Sequence, residues 1–258
     1  MHSAKPIQWH GQPVNSNKFP MICTPLVGAT PEQLGTELDM VLPKQPDMLE
    51  WRVDFFHGIA NSAEVVRMAQ SIKAAAGGIP ILFTRRSTRE GGEPIGMSED
   101  QVVAMYEAVC HAKCVDLIDF EMSNDADHIA HLRSISRAHG IGLVLSFHHF
   151  SATPSQQELV ARFELAQQLG ADVAKIAVMP QRLDDVLTLL SATLQASTTL
   201  AIPVVSMSMG PYGSLTRLFG FAFGSALSFA VGANSSAPGQ VPIEDLNTVL
   251  AIVNKSMG

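Results

Sequence analysis

Eight short apolar runs alternate with amphipathic segments between residues 21 and 232 of this chain. The runs are MICTPLV, MLEWRVD, IPILFTR, VDLIDFE, IGLVLSFH, DVAKIAV, IPVVSMS and ALSFAVG. Each has the length and the apolar, often β-branched composition of a strand buried in a parallel sheet. Eight β-then-α units in about 250 residues, without a composition break, are typical of a (β/α)8 barrel.

A doubly wound sheet is the alternative architecture. It loses its main support because no G-x-G-x-x-G follows the first run and no G-x-x-x-x-G-K-[ST] occurs. We therefore predict an α/β fold in which residues 1–258 form a single (β/α)8 TIM-barrel domain. Residues 1–20 are polar and are predicted to form a short N-terminal arm or hairpin that closes the barrel bottom. Capping boxes at Thr30–Gln33, Ser98–Gln101 and Thr153–Gln156 predict the starts of three helices.

The composition excludes several classes of partner. Hydrophobic residues make up 47% of the chain and charged residues 16%, as expected for a compact enzyme-like globule. The formal net charge is −7 and there is no run of lysine and arginine, so nucleic acid is not an expected partner. The longest apolar stretch, residues 218–233, is too short and too broken by glycines to span a membrane.

The cysteines indicate a reducing compartment. Cys23, Cys110 and Cys114 are odd in number and follow no C-x-x-C or metal-binding spacing. The N-terminus also lacks the apolar core of a signal peptide. We therefore predict a cytoplasmic protein with reduced, buried thiols.

Lys175 interrupts the run DVAKIAV, which otherwise predicts a fully buried strand. An ammonium group taken out of water without a partner is costly. Such a lysine pairs with a carboxylate, extends to the surface, or loses its proton and becomes a nucleophile that forms Schiff bases. All three outcomes are compatible with this stretch alone. In a barrel, chemistry occurs at the C-terminal ends of the strands, so partners for the lysine are sought there.

Two of the predicted strands carry several charges on one face. The two-residue period of a strand places Glu50, Arg52 and Asp54 together, pointing into the barrel. The same period places Asp119 and Glu121 on one face of strand four, where they are possible partners for Arg52 or for the lysine. Buried charges of this kind either pair with one another or bind a ligand.

Strand three ends in FTRRSTREGGE. Arg85 and Arg86 are adjacent, so only one of them faces the barrel mouth, and the parity of Thr84 favours Arg86. Glu90 follows in a loop with two glycines, which allow a backbone to approach a ligand closely. This strand is therefore predicted to contribute one cation and one acid to the mouth.

The later strands contribute a base, a cation and a loop. His148 ends strand five on the inward face, while His149 points away, and a histidine beside an acid is a candidate general base. Arg217 lies beyond strand seven. Residues 235–240, SSAPGQ, contain no large apolar anchor and are predicted to form a mobile lid.

These strand ends suggest carbonyl chemistry without a metal. The histidines and acids are not spaced as a ligand triad, so neither a metal nor another cofactor is expected. A lysine nucleophile beside a histidine base suits iminium formation followed by removal of an adjacent proton.

The sequence resembles type I 3-dehydroquinate dehydratases over nearly its whole length. EWRVDFF, FTxRxxxEGG, SFHxF, KIAVMP, SMSMG and SAPGQ occur in the order and spacing of that family. The resemblance implies a hydro-lyase of the shikimate pathway that converts 3-dehydroquinate to 3-dehydroshikimate by syn elimination. It also implies a homodimer, which no residue pattern establishes.

The resemblance further implies a role for each matching residue. Lys175 matches the lysine that condenses with the substrate's C3 ketone. His148 matches the general base and acid, and Glu90 the acid that orients it. Residues expected to contact the substrate are Glu50, Arg52, Arg86, Arg217, Ser236, Gln240, Met207 and Met209.

His149 departs from the family pattern, in which many members carry an aspartate at this position. Because His149 points away from the mouth, we expect the change to affect only the pH profile. Two other functions are compatible with the residues. One is a Schiff-base aldolase or lyase on the same barrel, although the SSAPGQ loop lacks the glycine-rich phosphate cradle of such enzymes. The other is a non-catalytic binder of a cyclic polyol acid.

Overall fold

A computed structural model describes residues 5–9, 12–13 and 20–257. Eight parallel strands, each on one of the predicted runs, form its central sheet. They are β1 (Met21–Leu26), β2 (Met48–Arg52), β3 (Ile81–Thr84), β4 (Leu117–Glu121), β5 (Gly142–His149), β6 (Val173–Val178), β7 (Val204–Ser208) and β8 (Leu227–Val231).

The sheet closes on itself. Each strand from β1 to β6 pairs in parallel with the next, and β8 pairs with β1 through Phe229 and Cys23. A parallel bridge between Val204 and Ser225 joins β7 to the residues that precede β8. The predicted barrel is therefore confirmed. A further two-residue strand, Val241–Pro242, pairs with the end of β8.

Eight α-helices of the described chain cover the outside of the barrel. They are α1 (Pro31–Val41), α2 (Ser62–Ala75), α3 (Glu99–Ala112), α4 (Ala126–His139), α5 (Gln156–Gln168), α6 (Leu183–Thr199), α7 (Gly213–Phe219) and α8 (Ile243–Met257). None of these helices is both long and apolar enough to cross a bilayer.

Two of the three predicted helix starts are confirmed. Thr30 caps α1, and Ser98 forms a full capping box with Gln101. The prediction at Thr153 is wrong, because Ser155 is the cap of α5 and exchanges hydrogen bonds with Glu158. Ser-x-x-Glu starting at residue 155 satisfies two backbone N–H groups, and this places the preceding proline outside the helix.

Alternation along the strands separates two cores. Leu49, Trp51 and Phe83 point outward and pack against the helices. Met21 and Met48, the first residues of β1 and β2, point inward with Leu82, Leu117 and Val144. The lower part of the barrel interior is therefore apolar, and the charged residues lie near the C-terminal ends of the strands.

The described part of the N-terminal arm forms a hairpin, in which Gln8–Trp9 pairs with Gln12–Pro13 in antiparallel fashion. Ile7 is 2% exposed and belongs to the same interior cluster as Met21 and Met48. Because those methionines start their strands, Ile7 closes the barrel from its N-terminal end, as predicted. The other residues of the predicted arm, 1–4, 10–11 and 14–19, lie outside the described residues.

Candidate active site

One cleft at the C-terminal ends of the strands contains about 440 Å³ of empty space. All eleven site residues predicted from the sequence line it, although they come from six strands or the loops that follow them. They are Glu50, Arg52, Arg86, Glu90, His148, Lys175, Met207, Met209, Arg217, Ser236 and Gln240. The two-residue period therefore assigned Glu50, Arg52, Arg86 and His148 to the inward face correctly.

Lys175 lies on β6 with its ammonium group inside the barrel and is 4% exposed. Its Nζ is 2.9 Å from Asp119 Oδ2 and 3.4 Å from Glu50 Oε1. The Phe229 ring lies on another side, with its centroid 4.5 Å from Nζ. Of the three outcomes open at the sequence level, extension to the surface is excluded and an ion pair is present.

Asp119 joins the lysine to a buried arginine. Its Oδ1 accepts from Arg86 Nη2 at 2.8 Å and from Ser146 Oγ at 2.6 Å. Burial disfavours the carboxylate, but Arg86 and Lys175 hold the pKa of Asp119 well below its usual range. Asp119 therefore remains ionised beside Lys175.

Arg86 is the inward member of its arginine pair, as parity predicted. Besides Asp119, it donates to Glu121 Oε1 at 3.1 Å. Burial opposes its charge, but Asp119 and Glu121 outweigh burial and raise its pKa. Arg85 points outward and pairs with Glu99 at 2.8 Å.

Glu90 holds His148 by two hydrogen bonds. Its Oε2 lies 2.8 Å from His148 Nδ1 and accepts the His148 backbone N–H at 2.9 Å, while Oε1 accepts from Ser123 at 2.8 Å. A carboxylate in this position favours the tautomer with the proton on Nδ1 and leaves Nε2 as a base.

The electrostatic surroundings favour a neutral imidazole. Burial and then the cations Arg86 and Lys175 lower the pKa of His148 well below its usual value. Burial and then the negative charge of Glu121 raise the pKa of Glu90 to about 7. The pair therefore combines a neutral histidine with an acid that titrates near neutral pH.

Arg52 is bound on one side of its guanidinium. Nε and Nη2 donate to Asp54 at 2.8 and 2.7 Å. Burial opposes ionisation of Asp54, but the Arg52 hydrogen bonds keep its pKa below the usual value. Nη1 of Arg52 instead donates to the carbonyl of Ser236 at 3.3 Å.

Arg217 is a buried cation without an acidic partner among the residues described. It is 2% exposed and donates to the carbonyls of Phe229 at 3.4 Å and Pro238 at 3.3 Å, while its Nε has no hydrogen-bond acceptor. Burial lowers its pKa to about 10. A desolvated guanidinium with a free donor is suited to receive a carboxylate in bidentate geometry.

The loop of residues 235–240 lies across the cleft. Ser236 and Gln240 are joined by hydrogen bonds of 3.1 and 3.2 Å. The Pro238 carbonyl accepts from Gly210 N at 3.3 Å as well as from Arg217. The loop covers the mouth as expected, and its mobility stays a prediction.

His149 faces away from the cleft, as predicted. Its Nδ1 accepts the Ala152 N–H at 3.0 Å, and its ring centroid lies 6.2 Å from that of Phe147. In this chain the imidazole therefore caps the loop after β5.

Two aromatic lining residues were missed by sequence reasoning. Phe229 shares the inward parity of Leu227, which was a usable signal. Phe150 lies beyond the strand, where alternation no longer applies, and covers Gly91. A Cβ on Gly91 would approach the Phe150 ring to 2.2 Å, and the φ of +82° at Gly91 also favours glycine.

Within residues 5–9, 12–13 and 20–257, no group of three or more His, Cys, Asp or Glu side chains could hold a metal ion. The cleft instead brings together an amine, an imidazole–carboxylate pair and several guanidinium groups. This arrangement can bind a small anionic polyol and transfer protons on it.

Comparisons with known proteins point to one enzyme family. The family model described as Type I 3-dehydroquinase matches residues 22–257. A 3-dehydroquinate dehydratase from Albidiferax ferrireducens is 62% identical over 258 residues, covering 100% of this chain and 98% of the relative. One from Aromatoleum aromaticum is 51% identical, covering 100% and 99%.

Solved structures share the fold. The crystal structure of 3-dehydroquinate dehydratase from Geobacillus kaustophilus superposes with a TM-score of 0.94 at 44% identity, covering 98% of each chain. A type I 3-dehydroquinate dehydratase from Clostridium difficile with covalently modified comenic acid gives 0.92 at 35% identity, covering 98% of this chain and 99% of the other. The chain therefore belongs to the type I 3-dehydroquinase family, and it is a hydro-lyase that dehydrates 3-dehydroquinate.

Proposed function

We propose that the dehydration proceeds through a Schiff base on Lys175, with His148 as the general base and acid. The observation that carries this proposal is that Lys175 and the Glu90-bound His148 open into the same cleft as Arg217, which has no acidic partner among the described residues. The covalently modified acid in the Clostridium difficile relative is consistent with covalent chemistry in this family.

The chemistry begins with proton loss from Lys175, because only the neutral amine attacks a ketone. Nζ adds to C3 of the substrate, and the C3 oxygen takes up the proton that the ammonium released and a second proton from Nζ. It then leaves as water, which gives a protonated imine. This cation draws electrons from the neighbouring carbon. His148 Nε2 then removes a proton from C2, which produces an enamine.

The elimination ends with loss of the C1 hydroxyl. The enamine electrons expel this hydroxyl while the protonated His148 supplies the proton that converts it to water. Both events take place on one face of the ring, as expected when one histidine serves both steps. Water then hydrolyses the imine, which releases 3-dehydroshikimate and restores Lys175.

Binding of the substrate is assigned to the remaining polar residues of the cleft. Arg217 receives the carboxylate, because its guanidinium is buried and has no carboxylate partner among the described residues. The apolar ring edge packs against Met207 and Met209. The hydroxyls and the second side of the carboxylate are contacted by Glu50, Arg52, Arg86, Ser236 and Gln240. All of these residues belong to one domain, which we propose spans residues 1–258.

Turnover should be unaffected by metal chelators, because the iminium is the electron sink in this mechanism and no metal is needed. The measurement follows the absorbance of the conjugated enone carboxylate product, with and without prolonged EDTA treatment. A matched sample treated with EDTA and then repleted with zinc or magnesium serves as the control. Inactivation by EDTA that either metal reverses would contradict the proposed chemistry.

We also propose that the chain forms a homodimer through α6 and α7, which pack side by side. Leu183, Leu187 and Leu194 form an exposed row on α6, and Leu187 is 61% exposed. An apolar row of this kind on a helix surface marks an interaction site. Two copies with the same row would bury it in a symmetric interface.

Light scattering of the purified protein is expected to give the mass of two chains. The Leu187→Glu variant is expected to give the mass of one chain, because the substitution places a charge from each copy inside the interface. Met40→Glu, an exposed apolar residue on α1, is the matched control and should remain dimeric. A monomeric native protein, or a Leu187→Glu variant that stays dimeric, would contradict this interface.

A cytoplasmic location is proposed from the thiols. Cys23, Cys110 and Cys114 are all free and buried. Burial raises the pKa of Cys110 to about 12, so this thiol stays protonated and unreactive. Unpaired cysteines of this kind are usual in a reducing compartment. Cell fractionation followed by detection of the chain tests this location.

A further inference from the structure

Glu37 is a buried acid outside the cleft. It lies on α1 and is 4% exposed, yet it forms no ion pair with the described cations. Its Oε2 accepts the backbone N–H groups of Val27 at 2.8 Å and Gly28 at 2.9 Å. Its Oε1 accepts from Asn234 Nδ2 at 2.7 Å. The carboxylate therefore links the loop after β1 to the loop after β8.

The contact lies where the loop over the cleft begins. Gly232 follows β8, and a Cβ there would approach Thr24 to 2.5 Å and Val41 to 2.7 Å. At the other end of the loop, Val241 pairs with Ala230 of β8. The chain between these two points returns to the barrel, and Asn234 is its attachment to α1.

Asn234 lies two positions before Ser236, a residue of the loop that lines the cleft. Ser236 accepts a hydrogen bond from Arg52 through its carbonyl and pairs with Gln240 through its N–H and hydroxyl. A shift of Asn234 would move these groups, and a displacement of about 1 Å in a positioning contact can cost about 10²-fold in rate.

We propose that Glu37 is a positioning residue for dehydration, and that its hydrogen bond to Asn234 holds residues 235–240 over the bound substrate. This role rests on the substrate contacts proposed above for Ser236 and Gln240. Glu37 itself does not line the cleft. Its charge strengthens the bond to the Asn234 amide, and its two backbone donors fix the side chain from the opposite side.

Replacing the hydrogen-bond donor at residue 234 with an acceptor tests the contact directly. Asn234→Asp places a second carboxylate against Glu37, which repels it and should release the loop. We expect KM for 3-dehydroquinate to rise by about tenfold or more, with a smaller change in kcat, since the loop completes binding and excludes water.

The double variant Glu37→Gln/Asn234→Asp should restore binding. The carbonyl oxygen of the introduced glutamine can accept the two backbone N–H groups, while its NH₂ group donates to the new aspartate. KM is expected to return to within about threefold of the native value. Such a rescue shows that residues 37 and 234 are energetically coupled, because the effects of independent sites would add. Asn234 is exposed, so these substitutions at residue 234 are compatible with folding, and Asn234→Ala provides a second version of the single variant.

A stability control separates positioning from general destabilisation. Asn61 caps α2 on the outside of the barrel, so Asn61→Ala should lower Tm while KM stays native. Native KM values in Asn234→Asp and Asn234→Ala, or no rescue in the double variant, would overturn the role of Glu37.

Ser236→Ala and Gln240→Ala distinguish this failure from failure of the proposed site. If they raise KM while the Asn234 variants do not, the substrate contacts stand and only the role of Glu37 is overturned. If neither raises KM, the proposed loop contacts are wrong and the role of Glu37 is overturned with them.

Discussion

Replacing Lys175 with methionine is expected to abolish both turnover and the adduct formed when borohydride is added during turnover. Methionine keeps the length and apolar stem of the side chain but cannot form an imine, so the electron sink is lost. Loss of a covalent nucleophile can cost on the order of 10⁶-fold in kcat. In this variant Asp119 keeps its contact with Arg86, and Glu50 keeps the hydrogen bond that it accepts from the Thr84 hydroxyl at 3.0 Å.

Peptide mapping by mass spectrometry after borohydride reduction provides the measurement. The chain has seven lysines, and Lys175 is the one among the described residues that lines the cleft. We expect one adduct per chain, on the KIAVMPQR segment. Lys255→Met, an exposed lysine on α8, is the matched control and should retain both adduct and turnover. An adduct on another lysine, or an active Lys175→Met variant, would contradict the mechanism.

The sequence predicted the barrel and the inward side chains because both follow from simple periods. Eight runs of strand length gave the eight strands, and alternation correctly chose Arg86 over Arg85 and His148 over His149. Such predictions succeed where a strand is regular, because successive side chains point to opposite faces.

Partners across the barrel could not be predicted in the same way. The sequence interpretation offered Asp119 and Glu121 as possible partners for Lys175, but the groups in contact with Nζ are Asp119 and Glu50. Alternation gives the face on which a side chain lies and not its height or distance across the interior. Asp119 was recognised only as a possible partner for this reason.

Contacts made by loops were also inaccessible to sequence patterns. Phe150 covers Gly91 across 59 positions of sequence, and Asn234 reaches Glu37 across 197. Neither contact has a local signature, since each depends on how the loops pack after the barrel closes. The motifs of the family located the cleft but not the contacts that hold its loops.

His148→Ala is expected to lower kcat by about 10²–10⁴-fold, the contribution typical of a positioned proton-transfer group. Lys175 should still be trapped by borohydride in this variant, because imine formation by the amine can continue slowly without the base. His149→Ala is the matched control and should lose far less, since its imidazole caps a loop outside the cleft. Equal losses in the two variants, or a larger loss in His149→Ala, would contradict the assignment of the base.

The Glu90–His148 pair also sets a pH dependence. The raised pKa of Glu90, about 7, means that this acid is protonated below neutral pH and ionised above it. The ionised form stabilises the imidazolium created when His148 takes the C2 proton, so kcat should rise as pH increases through about 7. Glu90→Gln keeps the hydrogen-bond acceptor for Nδ1–H but cannot ionise, so its kcat should be lower and this rise should be absent. If Glu90→Gln shows the native rise, another group is responsible for it, and Glu90 only orients the imidazole.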